Sequence, residues 1–288
     1  MKIVVMGQMI LASAVAALAL PAAAQETAVQ DWEIVRDGAA VAAATQYDNG
    51  LTIMVRCVGG RSLSAMVAGL PAATGYTRQV ATWFEGSKRD AEPGANARTP
   101  RGWSVGANAA VAFDRYPAGL ARRLREGGVM NLLVPGGAEN GRNLRYVLEL
   151  PESPAAIETV LNACERELED PRDADVEGLG QNGLPHRIAW ARQPRIDYPT
   201  GRTYMRGFVT VSCLTAPDGR LEDCILESEQ PEDGGFGPAV LRAVGSARLR
   251  NLDQNDPLPR SRILFNANFI LDDEPAAVSR APSRLPRR

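Results

Sequence analysis

The chain has 288 residues, of which 45% are hydrophobic and 23% charged, with a formal net charge of −2. That length suits about two ordinary domains, and the composition can supply a buried core. The near balance of charge excludes long-range attraction to nucleic acid or to an acidic membrane surface as the basis of function.

Lys2 is the only charge before Glu26, and Ile3 to Leu20 is apolar apart from Gly7, Gln8 and Ser13. Pro21 ends the run, and Ala22-Ala23-Ala24 places small residues before Gln25. A basic start, an apolar centre and an Ala-x-Ala end predict a secretory signal over residues 1–24, cleaved after Ala24. The alternative is an uncleaved membrane anchor, since about 20 apolar residues span a bilayer. Pro21 and the small residues fit a peptidase site better than a stop-transfer helix.

Residues 25–164 predict a mainly β, sandwich-like domain with a closing helix. Leu51, Ile53, Val55 and Cys57 alternate with Thr52, Met54 and Arg56, the period of a strand with one buried face. Gly59-Gly60 marks a turn, and Leu63 to Leu70 follows as the partner strand of a hairpin. Further strand candidates are Thr77–Phe84, Ala109–Phe113, Val129–Val134 and Leu144–Leu150. Residues 86–101, rich in Gly, Pro and charge, read as a surface loop. A short helix over Tyr116–Glu126 sets Leu120 and Leu124 on one side and Arg122, Arg123 and Arg125 on a solvated face. A second helix has Ser153 as N-cap and Pro154 at its first position. Its stripe of Ile157, Val160, Leu161 and Cys164 faces the core. In pattern this block resembles the periplasmic domains of the invasion-associated-locus-B type.

Four cysteines allow three pairings, and sequence distance favours Cys57–Cys164 with Cys213–Cys224. Cys57 and Cys164 both point inward in an exported domain. By chain-entropy reasoning a bridge over a loop of that length contributes roughly 4–5 kcal/mol, less any strain. Zinc pairs are a poor alternative, because there is no CxxC and His186 is the single histidine.

Residues 165–193 read as a linker. Their first part, 165–187, is acidic, then Gly-rich, and has no apolar period. A compact unit follows over 194–272, and 273–288 reads as a disordered basic tail. Gly207–Leu214 and Leu221–Ser228 are strands joined by Ala216-Pro217-Asp218-Gly219, a sequence with turn chemistry at each position. A loop of Pro217–Arg220 sets residue 213 opposite residue 224, where a bridge can form, whereas a three-residue loop shifts the register by one. Pro238 opens a helix with Val240, Val244 and Ala247 at helical spacing. Arg262–Leu271 is the last strand, with Ile263, Phe265, Ala267 and Phe269 on one face. The unit is thus α+β, strand-strand-helix-strand, around a three-stranded antiparallel sheet.

These features, together with Pro194, Tyr198-Pro199, Gly207, Val209, Val211, Gly219, Glu229, Pro231 and the run Gly235-Phe236-Gly237-Pro238-Ala239-Val240, are similar to the TonB C-terminal domain family. The cysteines of the hairpin resemble those of a subgroup of exported TonB-like proteins. The resemblance implies a periplasmic protein-binding module linked to TonB-type transmembrane transport, which takes up an envelope protein or extended peptide as an added strand. The implied edge is the last strand, with Arg262, Leu264, Asn266 and Asn268 on its polar face. Two features depart from an energy transducer: Ser13 is followed four residues on by Ala17 rather than a histidine, and no long Pro-rich spacer is present.

An enzyme is not expected. His186 lies in the linker, and a nucleophile elbow at Gly102-Trp103-Ser104-Val105-Gly106 would need a strand before it and a helix after it. Gly178, Gly180 and Gly183 match a dinucleotide fingerprint by letter, but no strand leads in, and a flexible linker is the better reading. No cofactor and no metal are expected. Two alternatives to a binding module stay open: an inert structural or wall-associated scaffold and, if the signal is retained, a membrane-anchored transport accessory.

Overall fold

A computed structural model describes residues 31–71, 80–86, 101–105, 110–180, 182–200, 204–253 and 257–271. The signal segment, the tail from residue 272 and nearly all of the 86–101 loop lie outside the described residues. Among the described residues no helix is long and apolar enough to cross a membrane.

The fold is mainly β. In the first part of the chain the strands are β1 (Glu33–Asp37), β2 (Ala40–Gln46), β3 (Thr52–Val58), β4 (Ser62–Ala68), β5 (Val80–Glu85), β6 (Arg101–Val105), β7 (Ala112–Asp114), β8 (Gly128–Val134) and β9 (Leu144–Leu150). They form one nine-stranded sheet in the order β1-β2-β3-β4-β7-β6-β5-β8-β9, where two facing sheets were expected. The sheet folds back on itself, and the Tyr47 hydroxyl just after β2 donates 2.8 Å to the Glu149 carbonyl on β9. The sequence reading missed β1 and β2. β1 is exposed along its whole length, and β2 is an alanine run without β-branched alternation.

Two helices, α1 (Pro117–Arg125) and α2 (Ala155–Ala163), cover this sheet, α1 against β4 and α2 against β2 and β3. Leu120, Leu124, Ile157, Val160 and Leu161 are fully buried beneath them. The Cys57–Cys164 disulfide, Cα–Cα 5.6 Å, ties the end of α2 to β3. Ser153 does not cap α2. The N-cap of α2 is Pro154, whose carbonyl accepts the Glu158 N–H at 3.0 Å, and no side chain makes a capping hydrogen bond there.

The remaining elements are α3 (Arg172–Glu177), β10 (Ile188–Arg192), β11 (Arg206–Thr215), β12 (Leu221–Gln230), α4 (Phe236–Val244), β13 (Arg248–Asn251) and β14 (Arg262–Ile270). β12-β11-β14 make the antiparallel three-stranded sheet, and β10 pairs with β13 in a separate ribbon that the sequence reading missed. Both ribbon strands are short, β13 alternates Arg248 and Arg250 about a single leucine, and β10 ends in exposed Ala191 and Arg192, so neither shows a clear apolar period. Helix α4 begins two residues before Pro238, because Gly235 takes the left-handed conformation, φ 74°, that turns the chain into it.

The hairpin contains both alternatives at once. Ala216 donates to the Arg220 carbonyl at 2.9 Å, so the loop is the three-residue form, and Thr215 pairs with Leu221. That register would separate the cysteines. A bulge at Asp223, φ 48°, then shifts it by one, so that Ser212 faces Ile225. Cys213 and Cys224 thereby come to a Cα–Cα distance of 4.1 Å and are bridged.

The buried apolar residues fall into two clusters, one inside the nine-stranded sheet and one between β11, β14 and α4. The segment between them is not a solvated linker. Arg122 on α1, expected on a solvated face, is 6% exposed and grips Asp173 of α3 with two hydrogen bonds, 2.6 and 2.7 Å. The same guanidinium reaches the Glu167 carbonyl at 3.1 Å, the Tyr116 hydroxyl at 3.3 Å and Asp170 at 3.4 Å. Arg172 pairs with Asp170 at 2.7 Å and with the buried Glu227 of β12 at 3.1 Å, and Ser212 of β11 donates 2.6 Å to that same Glu227. Arg123 is also buried, over the Phe84 ring and paired with Glu126, and Arg125 donates to the Leu168 carbonyl. Charges that read as solvated are mutually paired, which is the condition for burying them. The Phe113–Phe208 ring pair and Arg56–Glu232, 3.3 Å apart, extend this seam between the two cores.

Candidate functional site

β14 is one edge of the three-stranded sheet, paired on its inner side with β11 from Arg206↔Ile270 to Leu214↔Arg262 without a bulge. Such a ladder fixes which backbone groups point outward, since alternate residues face alternate sides. Leu271 donates inward to the Met205 carbonyl, and Leu264 donates outward to Gly183, both at 2.8 Å. Residues 264, 266, 268 and 270 therefore direct their N–H and C=O groups away from β11.

The four residues expected on this edge divide into two pairs. Arg262 and Leu264 are closed off. Leu264 is 8% exposed and its N–H is taken by Gly183. The Arg262 guanidinium lies 3.5 Å from the Ser212 hydroxyl and 3.6 Å from Asp175 of α3. Asn266 and Asn268 are open. Among the described residues their outward N–H groups have no backbone partner, and Asn268 is exposed. The Asn266 side chain has a structural task, accepting 2.7 Å from the buried Thr210 hydroxyl. Beyond them Ile270, Leu271, Tyr204 and Met205 are 47%, 42%, 40% and 39% exposed, an apolar surface continuous with the open half of the edge. The sequence reading missed Tyr204 and Met205, which follow an irregular stretch without periodicity.

The residues that carried the family resemblance serve the joint between sheet and helix. Tyr198 stacks edge-on against Phe236 and Phe269, with centroids 5.6 and 5.8 Å away. A Cβ on Gly207 would lie 2.4 Å from the Phe236 ring, so only glycine admits that ring. Glu229 accepts the Phe236 N–H at 2.8 Å and thereby caps α4. Burial raises the Glu229 carboxyl above its ordinary range, and the N–H groups of residues 235–237 offset this only in part. These positions build the joint of the unit and not its open edge.

The other motifs are also structural. Ser104 lies within β6, opposite Phe113 of β7, and Gly106 is outside the described residues. Gly178 follows α3, and Gly183 is buried against β14, where flexible linker was expected. Among the described residues no group of three or more His, Cys, Asp or Glu could hold a metal ion.

No protein-family model matches the chain, and no curated protein matches it. A solution NMR structure of the Pseudomonas aeruginosa TonB CTD matches at 18% identity with a TM-score of 0.28, covering 31% of this chain and 92% of that one.

Proposed function

We propose that the protein is an exported envelope protein that captures an extended segment of another protein or a peptide, without catalysis, by strand addition at the Asn266–Ile270 half of β14. One observation carries this reading: outward backbone groups on an edge strand, unpaired among the described residues, beside exposed apolar side chains. A link to TonB-type transport, and residence in the periplasm, rest on the sequence resemblance of the 194–272 unit.

Asn268 gives the clean test, because Asn266→Ala would also orphan the Thr210 hydroxyl. The probe is a lysine-flanked nonapeptide of alternating valine and threonine. Proline lacks the N–H and cannot donate to an added strand. Asn268→Pro should weaken binding about tenfold or more relative to Asn268→Ala, as expected for losing one well-placed hydrogen bond and its neighbours, with circular dichroism unchanged. Ala267→Pro removes an inward N–H and should damage the sheet itself. Equal binding by folded Asn268→Pro and Asn268→Ala would favour the inert scaffold.

A further inference from the structure

Strand β14 is open at one end and closed at the other, and what closes it belongs to the same chain. The Gly183 carbonyl occupies the position that an added strand would use, accepting the outward Leu264 N–H at 2.8 Å. The approach is close enough that a Cβ on Gly183 would sit 1.8 Å from the Leu264 carbonyl oxygen. Gly183 also has φ +73°, so a side chain there is disfavoured by conformation as well as by space. The turn is locally built: Asn182 accepts the Leu184 N–H through its side chain at 3.1 Å, and Gly183 donates to Gly180 at 2.8 Å. Leu184 anchors one end in the core beneath α4. At the other end α3 is pinned by Asp173 to Arg122 and by Arg172 to Glu227.

We propose that the Asn182–Leu184 turn is a built-in cap on β14, and that its release lengthens the edge offered to an extended partner from the Asn266–Ile270 half to the whole of Leu264–Ile270. This rests on the strand-addition reading above. The contact is weak enough to be exchanged. The turn makes one backbone bond to β14, whereas an antiparallel strand uses both the N–H and the C=O of each outward residue it meets. Asn182 is exposed, and Asp175, which faces Arg262 at 3.6 Å, keeps 56% of its side chain in solvent.

Two variants of the full chain test this. Gly183→Ala removes the fit of turn to strand, and Asn182→Ala removes only the side-chain bond that shapes the turn. Hydrogen exchange of the Leu264 amide and affinity for the valine–threonine nonapeptide are read on each. In Gly183→Ala the Leu264 amide should exchange at least tenfold faster, the peptide should bind several-fold tighter, and peptide should restore the protection. Asn182→Ala should move both readouts the same way by less, and it alone decides if Gly183→Ala does not fold. Leu264 protection unchanged in the folded variants would overturn the cap, and so would a freed amide without tighter binding. A peptide that binds wild type at Asn268 but is not tightened by release would overturn the cap alone. A peptide that neither wild type nor variant binds would overturn the strand-addition reading with it.

Discussion

The three-stranded sheet is covered on both faces, and the two covers work by different physics. On one face Val209, Val211, Cys213, Ile263, Ala267 and Phe269 meet Phe236, Val240 and Val244 of α4, with Phe236 and Phe269 centroids 4.5 Å apart. On the other, Glu227 and Arg262 meet α3 through ion pairs, the Thr210 and Ser212 hydroxyls are satisfied within the sheet by Asn266 and Glu227, and Phe208 meets Phe113 of the first sheet. The apolar face gains its stability from removing surface from water and depends little on which partner provides that surface. The polar face depends on pairing: taking out one partner strands the other in a poor solvent. The joint between the cores is therefore more specific and more fragile than either core.

The largest expected effect tests that fragility. Asp173→Ala leaves the Arg122 guanidinium, 6% exposed, without its bidentate partner. Breaking a buried pair on one side costs about 3–5 kcal/mol, while replacing both members with apolar residues of similar size is often near neutral. Urea unfolding should therefore show Asp173→Ala far less stable than wild type, with the double variant Arg122→Met/Asp173→Leu recovering most of the loss. A single variant within about 1 kcal/mol of wild type would mean that the pair behaves as a surface pair, and the contrast between faces would fail.

A smaller effect separates the two faces by pH. At Asp170 burial pushes the carboxyl up, but the hydrogen bonds and charge of Arg172, with the charge of Arg122, outweigh it and hold it below its ordinary 3.8. A lowered folded value adds stability that is present above the ordinary value and is lost as pH falls through the folded one. Glu229, on the helix side, has the opposite sign. Burial raises it above 4.5, so its contribution is complete below 4.5 and is lost as pH rises through the raised value. Hydrogen exchange should thus show the seam around α3 loosening below about pH 4 while the first turn of α4 does not. Glu229→Gln, which removes that titration, should gain on wild type as pH rises from 4 to 7, within about 1 kcal/mol. A pH-independent difference would remove the helix-side half of the contrast.

The same contrast explains what could be read from the amino-acid order. Val209, Val211, Ile263 and Phe269 announce a buried face through their period of two, and β11, β12 and β14 fall within two residues of the expected limits. The opposite face alternates just as Thr210 and Ser212 would beside water, because alternation records only which side is apolar. Whether a polar side meets solvent or a paired network depends on residues far away in sequence, such as Arg122 and Asp173, 51 positions apart. Arg122 of α1 and Asp173 of the 165–177 stretch each read as solvated because the partner of each was the other. The edge site was half legible for the same reason. Strand and parity were visible, but the closure of Leu264 by Gly183 came from a segment with no period of its own.

The smallest effect belongs to an ion pair of the same chemistry outside the seam. Arg260 lies 3.6 Å from Glu222 and 3.2 Å from Asp223, and all three side chains are well exposed, at 58%, 47% and 69%. Exposed pairs of this kind contribute about 0–1 kcal/mol, since water already solvates each charge and salt screens the rest. Position makes the test informative, because Asp223 is the bulge residue that brings Cys224 opposite Cys213. Two accounts of the bulge then differ. If the backbone tolerance of aspartate for the left-handed region and the disulfide itself hold the bulge, Arg260→Ala should change stability by less than about 1 kcal/mol. The exchange rates of the β12 amides should also stay as they were. If the arginine draws Asp223 into place, the same variant should lose about 2 kcal/mol or more, well beyond a screened surface pair, and the amides flanking residue 223 should open. The first outcome leaves burial as what separates the Arg122 network from this one.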